Sequence, residues 1–205
     1  LLLSGELFRA LLVSFQALTL GFLISVATGV PLGLLMGRYR RLEAFLDLYM
    51  IALLSLPIIS VIPLLVIAFG LGLHSRVWIV FLFAFVIIAV NTKAGVRNVD
   101  PTLTEMARSF GAGERELFLK VILPAALPMI MAGLRLGMGR AIVGMITSEV
   151  VLAVVGFGAM LMSFGASFQT PALFATILTI ILLAVVILAL IQFLDRRLIP
   201  WHAAS

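Results

Sequence analysis

The chain lacks cysteine altogether and has little charge, since only 11% of its 205 residues are Asp, Glu, Lys or Arg. Without thiols there is no disulfide framework, no thiol nucleophile and no thiolate metal site, and the redox compartment is left open. The two histidines, His74 and His202, are too isolated to bind a metal. Paired carboxylates, a Ser-His pair and the phosphate loop G-x-x-x-x-G-K-[ST] are also missing. The chain is therefore not expected to be an enzyme or to bind a nucleotide or other cofactor itself.

Apolar residues are what the chain has in abundance. They make up 63% of the sequence, and the mean hydropathy is +1.28. Soluble domains are about half apolar and a quarter charged, so the composition predicts an all-α integral membrane protein. The net charge of +5 could suggest a nucleic-acid partner. However, the basic residues lie between apolar runs and form no contiguous stripe, so no nucleic acid is expected.

Uncharged runs divide the chain into five predicted transmembrane helices within a single domain, 1–205. Two runs of 28 residues are each long enough to cross a hydrocarbon core of about 30 Å. The third run has only 16 residues, so Lys93 must snorkel at its end. The 45 uncharged residues from 150 to 194 must turn, with breaks expected at Gly156, Gly158 and 165–171. The helices are predicted at about 8–37, 45–71, 76–96, 124–150 and 171–197, the first as a retained span and not a signal peptide.

The basic residues predict how the chain is oriented in the membrane. With five crossings, ten of the fourteen Lys and Arg residues fall on one side. The positive-inside rule makes that side cytoplasmic, together with the loop 98–123 and the C-terminus. The ten residues are Arg38, Arg40, Arg41, Lys93, Arg97, Arg108, Arg115, Lys120, Arg196 and Arg197.

The loop 98–123 is the only sizeable polar segment, and its sequence predicts two short helices. Thr102 and Glu105 form a capping-box pattern, so the first helix should begin near Leu103, and Gly111 is placed to end it. The second should begin at Glu114 and stop at Pro124. The first helix carries an apolar stripe, which must bind a partner or lie on the membrane surface. The stripe consists of Leu103, Met106, Ala107 and Phe110.

The same loop resembles a known motif. Glu105-Met106-Ala107, then Gly111, then Val121-Ile122-Leu123-Pro124 have the spacing of the EAA loop in permease subunits of binding-protein-dependent ABC importers. Met106 and Val121 replace the usual Ala and Ile. Further segments resemble the nitrate, sulfonate, taurine and bicarbonate branch of that family. They are 91–92, 95–96, Gly133-Leu134-Arg135, Gly156-Phe157-Gly158 and 196–201.

The resemblance implies a type I importer fold and a set of partners. In that family the loop forms coupling helices that dock on a separate ATPase, which binds ATP and Mg²⁺. The expected partners are two cytoplasmic ATPase subunits, a second permease copy in a homodimer, an extracytoplasmic solute-binding protein and the lipid of a bacterial inner membrane. The implied coupling residues are Glu105, Met106, Ala107, Phe110, Gly111, Ala112, Leu123 and Pro124.

Helix breakers and intramembrane charges give candidate path residues. Prolines within the second predicted helix free backbone carbonyls, which favours a solute path, although a plain packing kink is an alternative. Buried charges should face the protein interior, where two arginines would suit a small anion of the sulfonate, taurine, nitrate or bicarbonate type. Arg135 could instead clamp the loop to the fourth helix. The path candidates are Ser55, Pro57, Ser60, Pro63, Arg140, Glu149 and Ser163.

A competing hypothesis is an ion-coupled secondary transporter, in which Glu149, Arg135 and Arg140 would form a relay. The chain has no convincing inverted repeat, and such a transporter would not need the ordered loop. Glycines at four-residue spacing predict close helix packing, within the chain or between two copies. These are Gly29, Gly33, Gly37, Gly133 and Gly137.

Overall fold

The structure, a computed structural model, describes residues 5–152 and 155–198. Within this part of the chain the regular elements are all helical. A short 3₁₀ segment, Ile58–Val61, precedes α3, and a π-helical segment, Leu117–Ile122, joins α6 to α7. The helices are α1 (Glu6–Arg38), α2 (Arg40–Ser55), α3 (Ile62–Phe69), α4 (Leu73–Arg97), α5 (Pro101–Ser109), α6 (Glu114–Glu116), α7 (Leu123–Leu152), α8 (Gly156–Ala166) and α9 (Thr170–Leu198).

Four of the described helices are long and apolar enough to cross a membrane. They lie in α1, in α4, in the continuous helix Glu114–Leu152 and in α9. A fifth crossing is counted if α2 and the segment Ile58–Phe69 form one bent span, which we call the bent second span. The predicted all-α membrane fold is confirmed. We call the end of the bundle that carries α5 the loop end, and the end where α7 meets α8 the far end.

The bundle is organised around α4, which packs against α1 on one side and α7 on the other. Glycines allow these contacts to be close. A Cβ atom on Gly33 would lie 2.5 Å from the backbone oxygen of Ala89, and one on Gly133 would lie 2.6 Å from the Cβ of Asn91. The regularly spaced glycines therefore serve packing within one chain, because small residues let helix backbones approach.

The outward surface of the bundle is apolar, as a lipid environment requires. Most large side chains of α9 are exposed. Such a surface would be unfavourable in water, at about 25 cal/mol for each Å² of apolar area. The exposed residues of α9 include Phe174, Leu178, Ile181, Leu182, Val185, Val186, Leu190 and Phe193.

The second predicted helix, 45–71, is a broken and bent span in the structure, as its prolines allow. α2 ends at Ser55, and the axes on either side of the break differ by 93°. Leu56 has an extended backbone, the conformation that a following proline favours, and here Pro57 follows. Pro63 does not break the chain, since it lies in the first turn of α3, where a missing N–H costs nothing.

Two further local predictions differ from the structure. Pro124 does not stop a helix, because the chain runs without interruption from Glu114 to Leu152. The π-helical turn directly before it, Leu117–Ile122, provides the altered hydrogen bonding that an internal proline needs. The breaks expected at Gly156 and Gly158 lie instead at the start of the helix α8, which has 11 residues and is followed by a turn at 167–169.

Candidate functional site

The helix α5 protrudes at the loop end and is capped at its start by Asp100. The Asp100 carboxylate accepts a hydrogen bond from the backbone N–H of Thr102 at 2.8 Å, and Pro101 occupies the first turn. The predicted capping box of Thr102 and Glu105 is therefore replaced by an aspartate cap and an N-terminal proline, both strongly favoured there. Hydrogen bonds from the Thr102 side chain and backbone hold the pKa of Asp100 below its ordinary value.

The end of α5 is fixed by Gly111, as predicted. Its φ of 81° lies in the left-handed region. Its N–H donates to the Arg108 carbonyl at 2.9 Å, and the N–H of Ala112 donates to the Ala107 carbonyl at 3.1 Å. This pair of bonds is a Schellman motif, which satisfies carbonyls that would otherwise be free at the helix end. The helix is thus short but well defined at both ends.

Apolar side chains of α5 are left in the open. Phe110 is 86% exposed and Met106 is 53% exposed, while Leu103 is partly exposed and Ala107 is half-buried. Glu105 is exposed on the same short helix. An exposed apolar cluster on an otherwise polar segment marks an interaction surface.

The remaining predicted coupling residues have other positions. Ala112 is half-buried beyond the Gly111 turn. Leu123 packs against the cluster formed by Val96, Ala126 and Ile130, and so belongs to the bundle and not to the exposed surface. Pro124 lies next to it, inside the continuous helix.

An ion-pair network ties α5 to the rest of the bundle. The Glu114 carboxylate pairs with Arg108 of α5 at 3.1 Å, and with Arg38 at the end of α1. A second network lies at the same end of the bundle, where Lys93 and Arg97 of α4 pair with Glu43 of α2. The exposed pairs of Glu114 contribute little to stability, but they link α5 to α1, and the partly buried pairs of Glu43 link α2 to α4.

At the far end, a buried acid joins four helices. Glu149 of α7 is fully buried, and its Oε1 lies 3.5 Å from Nη1 of Arg76 at the start of α4. Its Oε2 accepts hydrogen bonds from the hydroxyl of Ser14 at 2.8 Å and from the backbone N–H of Gly158 at 3.1 Å. The N–H of Phe157 donates in turn to the Ser14 hydroxyl at 3.2 Å. We call these residues the far-end cluster.

Glycine is required where α8 closes on this cluster. Gly156 has a φ of 77°, and a Cβ on it would lie 2.3 Å from Oε1 of Glu149. A Cβ on Gly158 would lie 2.4 Å from the backbone of Glu149. The Gly-Phe-Gly sequence therefore lets α8 approach the carboxylate closely enough for its backbone N–H groups to reach the cluster.

A cavity opens where the second span breaks. Its volume is about 270 Å³, and it is lined by Pro57 and its neighbours, by Phe83 and Val86 of α4, and by Arg140 of α7. Among the described residues, no acidic side chain forms an ion pair with Arg140. We call this the break cavity.

The predicted path residues do not form one continuous site. Pro57 and Arg140 share the break cavity, and Ser55, Ser60 and Pro63 are exposed along the bent second span. Glu149 belongs to the far-end cluster. Ser163 lines a separate far-end cavity of about 500 Å³, which Arg9 and Gly156 also line.

Comparison with known proteins identifies the family. Residues 29–200 match the family described as the binding-protein-dependent transport system inner membrane component. The chain belongs to this family.

Two relatives of the permease are named for their solutes. Bacillus subtilis SsuC, named as an aliphatic sulfonates transport permease, is 36% identical over 98% of the chain and 73% of its own length. Escherichia coli TauC, named as a taurine transport system permease, is 32% identical over 98% of the chain and 73% of its own length. The permease is thus a type I importer subunit of the sulfonate and taurine branch, and its relatives are transport proteins and not enzymes.

A solved structure supports the fold. The inward-facing MetNI methionine ABC transporter gives a TM-score of 0.65 at 21% identity, covering 97% of the permease and 95% of that chain. At this identity the likeness shows the fold alone.

The relay hypothesis loses its geometric basis in this permease. Arg135 pairs with Asp195 of α9, so it neither clamps the loop nor joins a relay. Glu149 pairs with Arg76, and Arg140 faces the break cavity. The three charges therefore have three separate environments.

Sequence reasoning missed the partners of these charges. Arg76 and Ser14 are distant from Glu149 along the chain, and Asp195 is 60 residues from Arg135. The only available signal was that a buried charge needs a partner somewhere.

Proposed function

We propose that this permease imports a small anionic solute of the sulfonate or taurine type, driven by a separate ATPase on which α5 docks. The ATPase would carry ATP and Mg²⁺, and this chain would supply the path. The loop end would face the cytoplasm of a bacterial cell, where two ATPase subunits bind. A solute-binding protein would deliver the solute at the far end, and a second permease copy would complete the path.

The observation that carries the proposal is the exposed apolar stripe on α5. A helix of nine residues is too short to be stable alone in water. This one is nevertheless defined by an aspartate cap at its start and a Schellman turn at its end. A short helix that presents Phe110 and Met106 outward fits a groove on a partner protein, in the way that amphipathic helices bind grooves elsewhere.

The contacts of α5 suggest how movement would be transmitted. When ATP binding closes the two ATPase subunits, the docked α5 would move with them. The Glu114 carboxylate, paired with both Arg108 and Arg38, would carry this movement from α5 to α1. The continuous helix from Glu114 to Leu152 would carry it toward the far end. Two permease copies would then rock between inward-open and outward-open states, which couples remote sites allosterically.

The solute class rests on the relatives and on the charges of the chain. The names of two relatives state a sulfonate and taurine as their solutes. Arg140 is a cation in a membrane-spanning helix without a described ion-pair partner, which suits an anion better than a neutral solute.

The test of coupling is removal of the exposed aromatic. Phe110→Ala should abolish most of the ATP hydrolysis that the loaded binding protein stimulates, because the docking contact is lost while α5 keeps both ends. A matched control is Phe174→Ala, which removes an exposed phenylalanine from α9. Both variants are measured as complete transporters in proteoliposomes.

A backbone variant tests the same contact independently. Gly111→Ala should also reduce stimulation, since an alanine is strained at a φ of 81°. Gly113→Ala is its control, because Gly113 has a φ of −70° and open space around it. Unreduced stimulation in both Phe110→Ala and Gly111→Ala would defeat the coupling proposal.

A further inference from the structure

We infer that Arg140 is the cation that binds the anionic group of the solute, in the break cavity beside the membrane-spanning helix α7. The inference rests on the proposed function and assigns the solute's charged group to one place on the chain.

The depth of Arg140 is the first observation. It lies 12 residues before the end of α7 at Leu152, a distance of about 18 Å along the helix. Lys120 lies 20 residues earlier, about 30 Å toward the loop end. Arg140 therefore lies well inside the apolar helix Glu114–Leu152 and away from both of its ends. An arginine at this depth must face protein or water, because exposure to lipid is costly.

The second observation is that none of the acidic side chains that the structure describes pairs with Arg140. Of the nine acidic residues, six form ion pairs with other cations, and Asp100 caps α5. Glu105 is exposed on α5, and Glu6 begins α1. The six paired acids are Glu43, Asp47, Glu114, Glu116, Glu149 and Asp195.

A second copy of the chain would not change this balance. It would bring the same acids, paired in the same way, and a second Arg140. The described side chains thus offer Arg140 no counter-ion, and an anionic solute passing along the path is the ion that an importer of this branch handles.

The third observation is the shape and lining of the break cavity. The residues around Arg140 are uncharged and mostly apolar, among them Leu56, Pro57, Ile58 and Phe83. Arg140 is itself an exposed side chain, and its apolar neighbours screen its charge less than bulk water would, which strengthens its attraction for an anion. The volume of about 270 Å³ accommodates a small solute such as a short alkanesulfonate. The bent second span supplies the opening, because a straight helix would fill this space.

The test measures charge attraction at the cavity without requiring the natural solute. Because the chain has no cysteine, Leu56→Cys gives it a single thiol in the break cavity, at a position that is 39% exposed. The complete transporter in proteoliposomes is treated with two methanethiosulfonates, one bearing a sulfonate and one a trimethylammonium group. Modification is read from the mass of this chain.

The expected result is a preference for the sulfonate reagent that depends on Arg140. Replacing Arg140 by Gln should lower the ratio of anionic to cationic reaction rates by about tenfold or more, because a charge that lines the same cavity as the thiol acts oppositely on the two reagents. Arg140→Lys should keep the preference. A thiol at Ser163, in the separate far-end cavity beside Arg9, is the matched control and should not respond to Arg140→Gln.

A competition measurement then tests binding. Millimolar ethanesulfonate should slow modification of the Leu56→Cys thiol when Arg140 is present, and should have no effect in Arg140→Gln. The inference is overturned if the rate ratio does not change, if neither reagent reacts, or if ethanesulfonate gives no protection. Binding-protein-stimulated ATP hydrolysis is measured on the same samples. Its absence in the unsubstituted transporter would defeat the proposed function and not the anion site.

Discussion

Removing one charge of the buried pair at the far end should destabilise the permease strongly. Glu149 is fully buried and Arg76 is only 6% exposed. Glu149→Gln keeps a side chain of the same shape, and its amide oxygen can still accept from Ser14 and Gly158. What it removes is the negative charge opposite Arg76. The guanidinium is then left as a buried charge without a counter-ion.

The expected cost is about 3 kcal/mol, at the lower end of the 3–5 kcal/mol typical of breaking a buried pair. The lower end applies because Arg76 keeps two other acceptors, the carbonyls of Val13 at 3.3 Å and Gly72 at 3.4 Å. Arg76→Met, which leaves Glu149 without its counter-ion but still bonded to Ser14 and Gly158, should cost a similar amount. The double variant leaves no buried charge, so it should be more stable than the sum of the two single losses by about 2 kcal/mol.

The assay is unfolding of the purified permease in mixed micelles as the fraction of dodecyl sulfate rises, followed by far-UV circular dichroism. A double-mutant cycle of the four chains gives the coupling energy. A coupling energy indistinguishable from zero would refute the reasoning, because it would mean that Arg76 and Glu149 do not stabilise each other. A loss below about 1 kcal/mol for Glu149→Gln would refute it equally, since that is the range of exposed ion pairs.

Three other predictions concern helix packing at Gly33, backbone strain at Phe168 and the pH dependence of the Asp100 cap. Gly33→Val should prevent the close approach of α1 and α4 and lower the yield of folded protein. Gly139→Ala should be tolerated, because a Cβ at Gly139 would meet no atom within 4 Å. Size-exclusion profiles in detergent distinguish the two variants. Phe168→Gly should raise the free energy of unfolding by about 0.5–1 kcal/mol in the same micelle assay. Phe168 has a left-handed φ of 54°, so the glycine relieves backbone strain, and its side chain is 91% exposed, so little packing is lost. The pKa of Asp100 is lowered, so its charged cap on α5 should be present above the ordinary carboxyl pKa and be lost only as the pH falls through the lowered value. A decline in stimulated ATP hydrolysis on the acid side, which Asp100→Asn removes, would confirm the sign. A decline on the alkaline side would contradict it.

The membrane fold could be predicted because the signals are local. An uncharged run of 28 residues allows few alternatives once lipid is the solvent. The end of α5 was equally local, since Gly111 provides the left-handed turn and few other residues do so without strain. The start of the same helix was misassigned because Asp100 and Thr102 both suit an N-cap, and the sequence does not rank them by geometry.

The break in the second span was only partly predictable. The sequence marks Pro57 and Pro63 as possible breaks, but only the structure shows that the first bends the chain and the second begins a helix. On both sides of the 93° bend the chain packs against α4, a contact between distant segments that the sequence does not show. At Pro124, too, the sequence does not show whether the proline ends a helix, and only the structure shows the π-helical turn that accommodates it.

The sequence by itself determined that this chain lies in lipid, where the short helix α5 begins and ends to within a few residues, and that this helix presents an apolar stripe. These features follow from composition, run length and backbone preference, each of which acts over a few turns of helix. Only the tertiary structure decided the partners of the charges. Glu149 meets Arg76 and Ser14, Arg135 meets Asp195, and Arg140 remains beside a cavity, because electrostatic pairing depends on distance in space and not along the chain.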